Sequence, residues 1–207
     1  MKRIIFFWVM VGVVSLGGAA KPVSKKLFDG KTFMGWEGNL KIFRIEKGAI
    51  VGGTLKEKIA HNEFLCTKKT YKNFILMLEV KLLGGSKANA GIQIRTKRIP
   101  NHHEVIGYQA EMGQGWWGSL YDESRRRTML AKADAAVIKK VLKPNEWNQY
   151  KIRCEGQRIR LFINDTQTID YTESDPKIPL EGVIALQIHG GPPSEAWYRK
   201  IIIKELP

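Results

Sequence analysis

Apolar and polar residues alternate in short runs along most of this chain, and turn-forming residues separate the runs. One run extends from Phe74 to Leu82 and ends at Gly84-Gly85. A period of two residues predicts β-strands, because successive side chains on a strand project from opposite faces. The positions that we expect to be buried include Leu76, Leu78, Val80, Ile152, Leu161 and Ile163.

Helical signals are almost absent, since only residues 131–143 have the composition of a short helix. Many short strands joined by Gly-rich turns predict an all-β fold, a two-sheet antiparallel β-sandwich. No linker, repeat or low-complexity run interrupts the pattern, so residues 21–207 are predicted to form a single domain.

The first twenty residues have the layout of a secretory signal peptide. Lys2 and Arg3 precede an apolar run over residues 4–14, and small residues follow up to Ala20. Residues 1–20 are therefore predicted to be cleaved off, leaving a secreted or periplasmic protein. An uncleaved anchor is the alternative, but this run is short against the roughly 20 apolar residues that cross a bilayer. We expect no stable membrane anchor.

The chain is basic, with 34 Lys and Arg against 20 Asp and Glu and a formal net charge of +14. Removal of Lys2 and Arg3 with the signal peptide lowers this charge by two, to +12. The basic residues are scattered, apart from Arg125-Arg126-Arg127, and no nucleic-acid-binding motif is present. The charge therefore indicates a solvated basic surface, and no nucleic-acid partner is expected.

Two cysteines, Cys66 and Cys154, each lie in an apolar alternating stretch. In an oxidising compartment they could form a disulfide. Two buried free thiols that face the same core fit the pattern equally well.

Three predicted strands carry a glutamine two residues from an ionisable side chain: Gln93 with Arg95, Gln109 with Glu111, and Gln187 with His189. Residues two apart on a strand share a face. If the three strands lie in one sheet, these six side chains form one polar surface. Because each amide both donates and accepts hydrogen bonds, such a surface suits a small ligand rich in hydroxyl groups. An ordinary solvated sheet face is the alternative.

The segment that follows Glu111 combines glycines, aromatic rings, acids and arginines. Aromatic rings stack on the apolar faces of sugars, while carboxylates and guanidinium groups bind the hydroxyls. At least one of the two adjacent tryptophans is expected to face the core, because neighbouring residues on a strand point in opposite directions. The candidate sugar-binding residues of this segment are Trp116, Trp117, Tyr121, Asp122, Glu123 and Arg126.

Taken together, several segments resemble the 3-keto-disaccharide hydrolase domain family, over about Leu27 to Leu206. The segments are LFDGKTFMGW, FLCTKKTYKNFILMLEVKL, NAGIQIR, GYQAEMGQGWWGSLYDESRR, EWNQYKIRCEGQRIRLFIN, VIALQIHGG and AWYRKIIIKEL. The resemblance implies a concanavalin-like jelly roll that acts on glycosides with a ketone at carbon 3 of the sugar. Many members have an acid where Gln109 stands, so the carboxylate chemistry is placed on Glu111 and Gln109 is treated as a ligand.

A ketone at carbon 3 acidifies the hydrogen on carbon 2, so a base can remove that proton and expel the glycosidic oxygen by elimination before water adds back. Glu111 or His189 is the predicted base, and Arg95 the predicted enolate stabiliser. Asp122 or Glu123 is expected to protonate the leaving group or to bind hydroxyls. The predicted substrate-binding residues are Gln93, Gln109, Gln187, Trp116, Trp117, Tyr121, Glu123 and Arg126.

Other readings of these residues stay open. Two carboxylates could hydrolyse the bond directly, and a non-catalytic carbohydrate-binding module would need only the aromatic and amide groups. His189 and Glu111 are metal-ligand types, but they lack a short metal-ligand spacing, so no cofactor is expected. A divalent metal that polarises the ketone is the alternative. The expected partner is a small carbohydrate.

Overall fold

The computed structural model describes residues 23–207, so the predicted signal peptide lies outside the described residues. The described chain contains fifteen strands and one short helix. These are β1 (Ser24–Lys26), β2 (Trp36–Glu37), β3 (Phe43–Glu46), β4 (Ala49–Thr54), β5 (Glu63–Thr67), β6 (Phe74–Leu83), β7 (Asn89–Arg98), β8 (Val105–Gly113), β9 (Leu120–Glu123), β10 (Thr128–Ala131), α1 (Ala135–Val141), β11 (Asn148–Glu155), β12 (Arg158–Ile163), β13 (Thr166–Thr172), β14 (Val183–Ile188) and β15 (Ser194–Glu205). Between residues 23 and 207, no helix combines the length and apolar character needed to cross a bilayer.

The strands form two antiparallel sheets with one large apolar core. One sheet has eight strands, in the order β13-β12-β11-β6-β15-β4-β3 with β1 paired to β15. The other has seven, in the order β10-β9-β8-β7-β14-β5-β2. This confirms the predicted two-sheet sandwich of jelly-roll type.

The eight-stranded sheet follows the alternating pattern closely. Along β6 every second residue is buried, starting with Phe74. Leu76 lies opposite Ile152 on β11, and Ile152 lies opposite Leu161 on β12, so the inward side chains form a continuous apolar layer. All six positions predicted to be buried are 2 % exposed or less. The helix α1 falls inside the predicted segment, and the Asp134 carboxylate caps it by accepting from the backbone N–H of Ala136.

In the seven-stranded sheet both faces of the central strands are buried. Residues 90–96 of β7 are buried without interruption, as are residues 107–113 of β8. One face of each strand packs into the core through apolar residues such as Ile92 and Ala110. The other face carries polar residues, and these form the candidate site.

The two cysteines are free and buried, but they do not share one core. Cys154 belongs to the main core between the sheets, whereas Cys66 packs with Phe64, Val105 and Ala185 in a separate cluster. Burial raises the pKa of the Cys66 thiol to about 11 and that of Cys154 to about 12. Both thiols are therefore protonated and unreactive at neutral pH.

Candidate active site

A chain of side-chain hydrogen bonds crosses the polar face of the seven-stranded sheet and ends at Glu111. Gln93 lies opposite Gln109 in the β7–β8 register, and its Nε2 donates to the Gln109 Oε1 at 2.6 Å. The Gln109 Nε2 in turn donates to the Glu111 Oε1 at 3.0 Å. At the start of the chain, the Thr96 hydroxyl donates to the Gln93 Oε1 at 3.0 Å. Every link donates toward Glu111, so the chain fixes both amides and orients the carboxyl.

The absence of a side chain at Gly91 leaves the space that the Gln109 side chain occupies. This glycine lies opposite Glu111 on one side and opposite Gln187 on the other. A Cβ at position 91 would be 2.6 Å from the Gln109 Cγ and Cδ, closer than real Cβ contacts come. A larger residue would push Gln109 away from Glu111.

A second acid joins Glu111 through the alternation of β9. Tyr121 lies opposite Gln109, and Glu123 lies opposite Gly107, so both project on the polar face. Burial raises the pKa of Glu111 to about 8, against the lowering effect of the Gln109 hydrogen bond and with an added rise from the charge of Glu123. Burial, followed by the charge of Glu104, raises the pKa of Glu123 to about 7. Such shifts are typical of catalytic acids and bases.

The two acids lie in a cavity of about 450 Å³. Its lining includes Gln109, Glu111, Trp116, Tyr121, Glu123 and His189. The Trp116 side chain is 44 % exposed, so its ring is available for stacking against a ligand. His189 is also exposed, and its Nδ1 lies 2.6 Å from the carbonyl oxygen of Gly190. Because a carbonyl oxygen can only accept, this contact assigns a proton to the Nδ1.

Two buried acceptors at this face have no hydrogen-bond partner among residues 23–207: the Gln187 Oε1 and the Asn89 Oδ1. The Gln187 Nε2 lies 3.5 Å from the Glu123 Oε2, which places this amide beside the second acid. An unsatisfied buried acceptor is costly unless a donor reaches it. Asn89 lines the cavity, so a ligand hydroxyl group is a suitable donor for its Oδ1, whereas Gln187 is fully buried and does not line the cavity.

Arg95 is placed away from this face, contrary to the sequence prediction. The β7–β8 register shifts between Ile94 and Lys97, and Arg95 has a φ of 51°. This β-bulge turns the side chain out of the alternating pattern. Its guanidinium group donates to the carbonyl oxygens of Lys72 at 2.7 Å and Gly156 at 2.7 Å. Arg95 therefore ties neighbouring turns together and does not face Glu111.

Asp122 and Arg126 are also placed outside the predicted polar surface. Asp122 alternates with Tyr121 and Glu123, so it points to the other face of β9 and is fully buried there. It accepts hydrogen bonds from Arg125 and Arg126, and the Arg126 Nη2 also donates to the Glu173 Oε2 at 2.6 Å. Burial raises the pKa of Glu173, but hydrogen bonds from Arg126 and Tyr108 outweigh it and bring that pKa to about 2. These residues form a structural ionic cluster.

The two tryptophans separate, and one of them packs against the core as predicted, although both lie in the turn between β8 and β9 and not on a strand. Trp116 lines the cavity, whereas Trp117 is half-buried and packs against the main core. Trp117 is therefore corrected from a sugar-binding to a packing position.

Several cavity residues were not identified from the sequence: Asn62, Asn89, Arg127, Thr128 and Met129. Asn89 continues the two-residue spacing of Gln93 and Gly91, so an extended strand would have included it. Asn62 lies just before β5, and Arg127 sits in a turn with a φ of 52°, so neither has a periodic signal. Among the described residues, no three His, Cys, Asp or Glu side chains form a set that could hold a metal ion.

Comparison with solved structures shows the fold of glycosyl-hydrolase-like and carbohydrate-binding jelly rolls. A candidate glycosyl hydrolase from Parabacteroides distasonis ATCC 8503 superposes with a TM-score of 0.67 at 18% identity, covering 89% of this chain and 94% of that one. The carbohydrate-binding module CBM66 from Bacillus subtilis gives a TM-score of 0.61 at 13% identity, covering 83% and 96%. A Bacillus licheniformis β-glucanase gives 0.58 at 9% identity, covering 92% and 100%.

No curated protein matches the chain. A family profile, by contrast, matches residues 23–204, nearly all of the described range. This chain belongs to the family of 3-keto-alpha-glucoside-1,2-lyase-like domains.

Proposed function

We propose that this protein is an exported enzyme that cleaves glycosides whose sugar carries a ketone at carbon 3, by elimination at carbon 2 followed by addition of water. The observation that carries the proposal is the buried Glu111 at the end of the amide chain, with Glu123 in the same cavity. Family membership supports the substrate class. The aromatic rim of Trp116 and Tyr121 supports a sugar as the ligand.

Glu111 is the proposed base. A carboxylate with a pKa near 8 removes a proton from carbon more readily than an ordinary carboxylate, and the Gln109 N–H holds it in one orientation. As the C2–H bond breaks, its electron pair forms the enolate of the 3-ketone. The enolate then re-forms the ketone and expels the glycosidic oxygen from carbon 1, which leaves a C1–C2 double bond. Water adds across this bond to give the free 3-keto sugar.

The remaining roles fall to other cavity residues. Glu123, with its pKa raised to about 7, can carry the proton that the leaving oxygen needs. Arg127 takes the enolate-stabilising role first assigned to Arg95, because it is the arginine that lines the cavity within the described chain. His189 is proposed to bind a sugar hydroxyl at the rim, through its Nε2.

The substrate class can be tested with one 3-keto-glucoside and the matching glucoside, each assayed with and without a chelator. We expect turnover of the keto compound alone, since only its carbon 2 is acidified. Arg127→Lys should lower kcat, because a point charge does not match the planar enolate. Arg95→Lys should leave kcat unchanged and lower the melting temperature. Equal turnover of both substrates would contradict the elimination and favour direct hydrolysis.

A non-catalytic carbohydrate-binding domain is the second candidate, since CBM66 shares the fold. It predicts sugar binding that persists in Glu111→Gln, with no turnover of either glucoside by the unaltered protein.

Export is proposed from the order of residues 1–20. N-terminal sequencing of protein recovered outside the cytoplasm should begin at Lys21, and recovery of protein that still begins at Met1 would contradict cleavage.

A further inference from the structure

A second cavity, of about 730 Å³, lies between α1, the β6–β7 turn and the β8–β9 loop. Its walls are largely apolar and include Leu82, Trp117, Ile138 and Leu142. Ile138 and Leu142 are only partly buried, although both pack against the main core. This apolar cleft therefore keeps hydrophobic surface accessible, which is typical of sites for small ligands.

The charge of the apolar cleft is one-sided. Among its lining residues are two lysines, Lys132 and Lys139, and no aspartate or glutamate. Both lysines are exposed, whereas Trp117, Ile138 and Leu142 are partly buried. The candidate active site has the opposite character, with Glu111 and Glu123 in its lining.

The apolar cleft adjoins the candidate active site. Three segments pass from one cavity to the other within a few residues: 88–89, 114–117 and 129–132. In the second of these, Trp116 lines the active site and Trp117 lines the cleft. The Lys132 ammonium group lies 5.6 Å from the centroid of the Trp116 ring, so one cleft lysine lies beside an aromatic ring of the candidate active site.

We propose that the apolar cleft binds a small apolar anion, such as an aryl carboxylate or sulfonate. The ring system would pack on Trp117, Ile138 and Leu142, and the anionic group would pair with Lys132 and Lys139. The anion could be a free ligand. Alternatively it could be the leaving group of a glycoside whose sugar occupies the neighbouring site, and only this second source rests on the proposed function.

The charge requirement can be tested with two fluorescent probes that share a ring system. 8-Anilinonaphthalene-1-sulfonate is anionic and N-phenyl-1-naphthylamine is neutral. Lys139→Glu should weaken binding of the sulfonate about three- to tenfold and leave the neutral probe unchanged. Lys140→Glu is the matched control, because Lys140 lies on the same helix outside the cleft lining. Equal effects of the two substitutions on the sulfonate would overturn the proposal.

The apolar wall is tested by Ile138→Asp, which should abolish binding of both probes while the thermal unfolding transition is retained. Binding of both probes that survives this substitution would place them elsewhere and overturn the proposal. Lys132→Glu combined with Lys139→Glu gives a second check that does not depend on the wall, and it should weaken the sulfonate more than Lys139→Glu alone.

The source of the anion is distinguished by competition against the sulfonate probe, using 6-hydroxy-2-naphthoate and its 3-keto-glucoside. The competition is measured in Glu111→Gln, so that the glucoside is not cleaved during the measurement, and turnover is measured in the unaltered protein. If the anion is a leaving group, the glucoside should compete better than the free naphthoate, and Trp116→Ala should remove that advantage. Equal competition would identify a free ligand. Naphthoate binding without any turnover of the keto-glucoside would refute the proposed function and leave the cleft site standing.

Discussion

Polar residues on the outer faces of the two sheets differ in their exposure to solvent and in their partners. On the eight-stranded sheet, outward residues of β6 remain partly exposed, and Glu79 forms ion pairs with Arg199 and Lys200 at 2.6 Å. On the seven-stranded sheet, Gln109 and Glu111 are 2 % and 5 % exposed and are held by side-chain hydrogen bonds. A carboxyl group kept out of water without a cationic partner costs stability. Glu111 lacks the cationic partners that Glu79 has, and this difference supports the catalytic role proposed for Glu111.

The largest expected difference between these two glutamates is in activity. Glu111→Gln should lower kcat on a 3-keto-glucoside by about 10²–10⁴-fold, the usual cost of losing a general base. Glutamine keeps an acceptor for the Gln109 N–H, so the fold should be retained. Glu79→Gln should leave kcat within about twofold, because its ion pairs are partly exposed. Initial-rate measurements give both kcat values. A comparable loss of kcat in the two variants would contradict the proposed difference between Glu111 and Glu79.

Asp122 should behave as a structural acid, unlike Glu111. Asp122→Asn removes one charge from a buried ionic cluster, which typically costs about 3–5 kcal/mol of unfolding free energy. Denaturant unfolding measures this loss. The kcat of the protein that remains folded should stay near that of the unaltered chain. A variant that has normal stability but no activity would contradict this structural role and indicate that Asp122 takes part in catalysis.

The stability of the protein should also depend on pH through Glu111. Its folded pKa of about 8 is above the usual 4.5, so the folded state binds more protons between these values and stability falls as pH rises through them. Glutamine cannot ionise, so Glu111→Gln should be more stable than the unaltered protein above pH 8. The rise of the Glu111 pKa from 4.5 to about 8 corresponds to a gain of up to about 5 kcal/mol in the free energy of unfolding. Identical melting curves at pH 5 and pH 9 for both proteins would show that Glu111 titrates normally.

The pH–rate profile gives a smaller, independent effect. Activity should peak between about pH 7 and 8, where the pair of Glu111 and Glu123 holds one proton. Because Glu111 has the higher pKa, that proton is mostly on Glu111, and the productive form, with Glu111 ionised and Glu123 protonated, is the minor one. On each side of the peak, kcat should fall about tenfold per pH unit. Glu123→Gln should remove the alkaline limb. A profile that is flat from about pH 6 to 9 would contradict the paired roles.

The contrast between the sheets also explains what could be predicted from the sequence. Strict alternation identified the strands around Leu76, Ile152 and Leu161, because every second residue of these strands faces the core. The amide positions Gln93, Gln109 and Gln187 were found by the same rule. The rule failed at Arg95, because a β-bulge inserts an extra residue into β7 there and shifts the alternation of its side chains.

Other parts of the site depended on information that alternation does not contain. Choosing Glu123 over Asp122 requires the register of the short strand β9, which is set by its pairing with β8. Arg127 and Asn62 reach the cavity from turns, where no periodicity exists. Burial of the polar face is likewise a tertiary property, because a half-polar strand is typical of a solvated sheet.

Elimination at carbon 2 can be observed directly by running the reaction in deuterium oxide. If Glu111 removes the C2 proton and water later adds across the C1–C2 bond, the released 3-keto sugar should carry solvent deuterium at carbon 2. The same sugar incubated with Glu111→Gln serves as the control for spontaneous exchange beside the ketone. Rapid cleavage by the unaltered enzyme with only protium at carbon 2 would contradict the elimination.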